Sequence, residues 1–148
     1  MSYEKILLTT DGSEESEKAV NHAKELAKSC NAELHILYVV DIGVNTQYGA
    51  VEDLMSQLES NSKLEKFGQE TVEKIAEKIE DTGVEVFKSV EKGSPHQKIL
   101  EYSRKNEIDV IVMSTHGRTG LDRMLLGSVT EKVLRKSEKP VLTVTREK

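Results

Sequence analysis

Two stretches of this chain carry residues whose types and spacing suit the binding of a phosphate-bearing ligand. In the first, the apolar run Val110-Ile-Val-Met reads as a buried strand that ends at Ser114 and opens into a loop holding Gly117 and Gly120. That loop runs into a helix that opens near Gly127-Ser128-Val129. The first N–H groups of a helix have no partner inside it, the helix dipole adds about half a positive charge at that end, and glycine lets backbone approach an anion closely. The second stretch is Thr9-Thr10-Asp11-Gly12-Ser13, which follows another apolar run. Asp11 offers a carboxylate suited to ribose hydroxyls or an adenine amine. Both residue sets also have structural readings: Asp-Gly is a strong turn pair, and Ser128 with Glu131 has the spacing of a capping box. Arg118 and Arg123 are either phosphate contacts or solvated loop residues.

The elements that must position these loops follow from alternating strand and helix patterns, the sign of an α/β chain with a parallel sheet. The strands are expected at Ile6–Thr10, Glu33–Val40, Val84–Val90, Asp109–Met113 and Pro140–Thr145. Ser13 reads as the N-cap of a helix that runs to about Ser29, with Glu14 and Glu15 in its first turn. A long helix spans about Val51 to Asp81, with a break expected around Asn61, Ser62 and Gly68. The third helix starts at Ser94-Pro95, with Gln97 placed to close a capping box. The third strand alternates apolar and polar residues and reads as an edge, whereas the fourth is apolar throughout its length after Asp109 and reads as central. Ligands of open parallel sheets bind outside the carboxyl ends of the strands where the strand order reverses. If the first and fourth strands are neighbours, the loops bearing Asp11 and Ser114 to Gly117 converge there and can hold a nucleotide.

Composition narrows the partners. The 148 residues suit one domain, 1–148, and the net charge of −5 with scattered basic residues gives no footprint for nucleic acid or an anionic membrane. No apolar run approaches the roughly 18 residues of a membrane span, and the amino-terminal residues lead directly into a strand, so a cytoplasmic location is expected. The single cysteine, Cys30, falls on an apolar helix stripe with Ala19, Ala23, Leu26 and Ala27 and reads as a core thiol. His22, His35, His96 and His116 show no metal-ligand spacing. Phosphate-loop, dinucleotide-fingerprint and nucleophile-elbow motifs are missing from the sequence, and Val90-Glu91-Lys92-Gly93 holds no phosphoacceptor aspartate of a receiver domain.

The chain resembles the universal stress protein family, ATP-binding type, over essentially its whole length. The family's signature is Gly-x-x-Gly, nine residues, then Gly followed by Ser or Thr. Gly117 matches the second glycine, the nine residues Arg118 to Leu126 follow, and Gly127-Ser128 complete the pattern. Ser114 stands where the signature has its first glycine, a hydroxyl able to donate to phosphate. Asp11, the Gly93-Ser94-Pro95 turn and the closing run Lys139 to Val144 also match.

The resemblance implies an open five-stranded parallel sheet in the order 3-2-1-4-5 with helices on both faces. It implies ATP with Mg or Mn, Asp11 and the Val39 backbone on adenosine, and Gly117, Gly127, Ser128 and Val129 on phosphates. It further implies a homodimer paired through the last strand. Three functions stay open: an ATP-binding regulatory module acting in stress response through an unknown protein partner, a slow ATP hydrolase, and a dimeric interaction protein that binds no nucleotide. No poised base or carboxylate pair accompanies the glycine loop, which favours the module.

Overall fold

The computed structural model describes residues 3–42, 51–115 and 126–145. Five parallel strands, β1 (Lys5–Thr10), β2 (Glu33–Asp41), β3 (Val86–Gly93), β4 (Val110–Ser114) and β5 (Val141–Val144), form one sheet in the order β3-β2-β1-β4-β5. The first and fourth strands are therefore neighbours, and the third is an edge, as the sequence pattern required. Strand side chains alternate between two cores. Ile6, Leu8, Leu34, Ile36, Val110 and Val112 face one, shared with α1 (Glu17–Cys30) and α2 (Val51–Glu80). Leu7, Leu37, Ile111 and Met113 face the other, shared with α3 (Pro95–Lys105) and α4 (Ser128–Lys136). Sandwiching between helix layers explains why the central strands are continuous apolar runs.

Each helix takes its face from its spacing. Ala19, Val20, Ala23 and Ala27 recur at three- and four-residue steps and are buried, and their small size lets α1 lie close to the sheet. Cys30, the last residue of α1, is only half-buried at the margin of that core. Ser13 does not cap α1: a short 3-10 turn, Glu14–Ser16, intervenes, and the Ser13 side chain makes no cap bond. The Ser94 side chain likewise makes no cap bond on α3 and instead meets His96 Nδ1 at 3.3 Å.

The expected break in α2 is not there, and the helix runs unbroken for 30 residues. Gly68 sits in it for close approach: a Cβ at that position would lie 2.5 Å from Cδ1 of the buried Tyr38 ring. Glycine costs a helix about 1 kcal/mol in propensity, less than the packing it permits here. Val72, Ile75, Ala76 and Ile79 continue that contact with the sheet, while Leu54, Met55 and Leu58 at the other end of the helix are exposed. At the amino end of the sheet, Asp109 precedes β4 rather than opening it. Its Oδ2 accepts the N–H groups of Glu4 and Lys5 at 2.8 and 2.9 Å, which fastens the start of β1.

Candidate functional site

Strand lengths create the opening. β1 pairs with β4 only through Leu8–Val112, and with β2 only through Thr10–Tyr38, while β2 itself continues to Asp41. Past those points β1 no longer pairs with β4, and Val39 and Val40 of β2 lie beyond the last β1 residue in the register. The result is a cleft of about 340 Å³ at the carboxyl ends of the strands, a volume at the lower end of small-molecule sites.

Asp11, Val39, Ser114, Gly127, Ser128 and Val129 all line this one cleft. Gly117 lies outside the described residues, as do His116, Arg118, Gly120 and Arg123. The sequence reading missed several wall residues: Tyr38 and Asp41 from β2, Leu64 from α2, Pro95 and Ile99 from α3, and Thr130 from α4. Asp41 was findable, because it ends the strand beside β1 and so falls under the same switch-point rule that singled out Asp11. Leu64 was hidden by the expected break in α2.

One end of the cleft is acidic. The Asp11 turn is built from within: Asp11 Oδ1 accepts the Ser13 N–H at 2.9 Å, and Thr10 Oγ1 accepts the Gly12 N–H at 3.1 Å. This is the local aspartate turn expected of Asp-Gly, and it leaves Asp11 on the cleft wall. Asp41 lines the wall from β2.

The other end is the N-terminus of α4, fastened to the ends of β4 and β5. Thr115 N–H donates to Val144 O at 3.0 Å, Gly127 N–H to Thr115 O at 2.8 Å, and Thr130 Oγ1 to Ser114 O at 2.9 Å. Gly127 is the N-cap and Ser128 the first helical residue, so the Ser128–Glu131 capping box does not form, and Glu131 pairs with Arg135 instead. Two consequences follow for anion binding. Gly127 N–H is already engaged, so that residue contributes the absence of a side chain, whereas the Ser128 and Val129 N–H groups have no partner within the helix. The exposed Ser128 hydroxyl lies beside them. His96, next to α4, titrates below the usual histidine range, first through desolvation and then through repulsion by Lys132 and Lys136. Among the described residues no cluster of His, Cys, Asp or Glu is arranged to hold a metal ion.

A cleft at the switch point, carboxylates at one end and a helix N-terminus at the other, is an arrangement many α/β proteins share. The profile that matches residues 2–145 is that of the universal stress protein family. The chain belongs to that family. Universal stress protein MJ0531 of Methanocaldococcus jannaschii is 39% identical over 148 residues, covering 99% of this chain and 84% of the relative. The solved structure of MJ0577, a universal stress protein of the same organism, superposes with a TM-score of 0.85 at 35% identity, covering 100% of this chain and 99% of that one. A universal stress protein solved in complex with cAMP shares the fold at a TM-score of 0.64 and 23% identity, covering 98% of both chains.

Proposed function

We propose that this universal stress protein is an ATP-binding regulatory module of one domain, residues 1–148, acting in the cytoplasm through nucleotide-dependent contact with a partner protein. The observation that carries the reading is the polarity of the switch-point cleft: the carboxylate of Asp11 at one end and the free N–H groups of Ser128 and Val129 at the other. A nucleotide matches both ends, with adenosine toward Asp11 and Val39 and phosphates toward Gly117, Ser114, Gly127, Ser128 and Val129. A universal stress protein of this fold has been solved in complex with cAMP, which supports an adenine nucleotide as the class of ligand. Mg or Mn would accompany the triphosphate through phosphate oxygens and water, offsetting the charge of the phosphates at the start of α4. Among the described residues, no helix is long and apolar enough to cross a membrane.

The cleft wall holds no described histidine, lysine or arginine that could act on a terminal phosphate. The sequence around Gly117 and Gly127 offers no catalytic constellation, so turnover is expected on the order of one per minute or less, against a typical enzyme median of about 10 per second. Mass analysis of small molecules released from natively purified protein, followed by a steady-state phosphate-release assay, tests both statements. An adenine nucleotide with slow release supports the module; turnover near the enzyme median would make the protein a hydrolase. The nucleotide-free interaction protein is favoured by one observation, the engagement of Gly127 N–H by Thr115 O, and an empty extract would promote it.

The homodimer reading concerns β5, an edge strand of the sheet. Val144 on β5 is buried in the core, so its substitution would disturb the fold, whereas Leu142 is 39% exposed. Leu142→Lys is expected to shift sedimentation at micromolar concentration from dimer to monomer without loss of helix content. A wild-type monomer under those conditions would refute pairing through β5.

A further inference from the structure

Two glycines on separate elements make room for one aromatic pair beside the cleft. Gly12 adopts φ +80, and a Cβ there would lie 2.5 Å from Phe67 Cε2 and 3.3 Å from Thr71 Oγ1. The Phe67 ring is thus pressed directly on the backbone of the turn that carries Asp11. It also meets the Tyr38 ring edge-on, with centroids 6.0 Å apart and planes at 69°. Gly68, the next residue of α2, lays its backbone on the other side of the contact, against Tyr38. Tyr38 stands opposite Thr10 in the β1–β2 register and lines the cleft, as Asp11 does. Within the turn, the Ser13 and Gly12 N–H groups are held by Asp11 Oδ1 and Thr10 Oγ1. Beyond these internal bonds, α2 closes on the turn from outside, through the Phe67 ring and, less tightly, Thr71 Oγ1.

We propose that Phe67 is a positioning residue for the cleft: through Gly12 it holds the Asp11 turn, so that α2 sets the geometry of the end of the site that receives adenosine. The ligand half of this statement rests on the nucleotide reading above; the hold on the turn does not. Interior packing transmits such contacts because it leaves no slack, and removing an aromatic ring would free the turn to move.

Two measurements on the full chain separate these halves. In ligand-free protein, Phe67→Ala is expected to speed amide hydrogen exchange at Gly12 and Ser13 by about tenfold or more, a local opening, with exchange in the sheet core at Leu7, Leu37 and Ile111 unchanged. In calorimetric titrations the same variant is expected to bind adenosine about tenfold more weakly while its affinity for magnesium pyrophosphate, which tests the α4 end, stays unchanged. Phe67→Leu, which refills most of the volume, should restore both values toward wild type. Faster exchange spread evenly through the core, or unchanged exchange at Ser13, would overturn the positioning role. Equal weakening of adenosine and pyrophosphate would do so as well. Wild-type protein that binds no adenosine would overturn the nucleotide reading, and the exchange pattern would then decide the hold on the turn by itself.

Discussion

Gly127→Val is expected to weaken Mg-ATP binding by roughly a hundredfold or more, about 2.7 kcal/mol, while leaving the protein folded. The fold should tolerate the change because Gly127 has φ −60 and ψ 146, extended backbone open to any residue, and its N–H bond to Thr115 O and C=O bond from Glu131 N–H do not depend on a side chain. Binding should not tolerate it. The residue lines the cleft immediately before the Ser128 and Val129 N–H groups, and a branched side chain there occupies the approach to the start of α4. Calorimetric titration, with circular dichroism to verify folding, measures the effect. Unchanged affinity would remove the α4 end from the site.

The second large effect is on stability. Gly68→Leu is expected to destabilise the chain by about 3 kcal/mol, near the upper end of what overpacking costs, even though leucine is the better helix former by roughly 1 kcal/mol. The Tyr38 ring would have to leave its packed position: it is buried at 3% exposure, and the added Cβ alone would lie 2.5 Å from it. For a domain of this size that loss corresponds to about 6–12 °C in Tm, measurable by thermal or urea unfolding. A variant as stable as wild type would mean that Gly68 is there for some reason other than contact with Tyr38.

Gly68 also shows where local sequence rules give out. Glycine, asparagine and serine in a helical stretch lower its helix propensity, which is why a break was expected near 61–68, but the deciding contact is with a strand some 30 positions earlier. Ser94 is the N-cap of α3 with Pro95 following, as expected, but the cap hydrogen bonds failed for a related reason. Ser13, Ser94 and Ser128 have the right residue types, yet local backbone bonds and the tie between Ser114 and Thr130 fix the helix starts without their hydroxyls. What was legible came from periodicity and edge chemistry. The unbroken apolar run of Val110 to Met113 marked a central strand, and the polar residues of β3 marked an edge. The neighbours β1 and β4 then bring Asp11 and Ser114 to one cleft without further information. Asp41 was open to the same switch-point rule, but Tyr38 and Leu64 were not, since their place on the wall depends on how far β2 outruns β1 and on where α2 packs.

Whether an adenine nucleotide occupies this cleft in a fixed orientation is decided by following backbone amide resonances of the labelled protein during titration with Mg-ATP, and then with magnesium pyrophosphate. ATP is expected to shift the amides of Asp11, Val39, Ser128 and Val129 together, pyrophosphate to shift only Ser128 and Val129, and Phe87 on the far edge of the sheet to stay silent in both. Shifts confined to residues away from the cleft, or none at millimolar ATP, would contradict that occupancy.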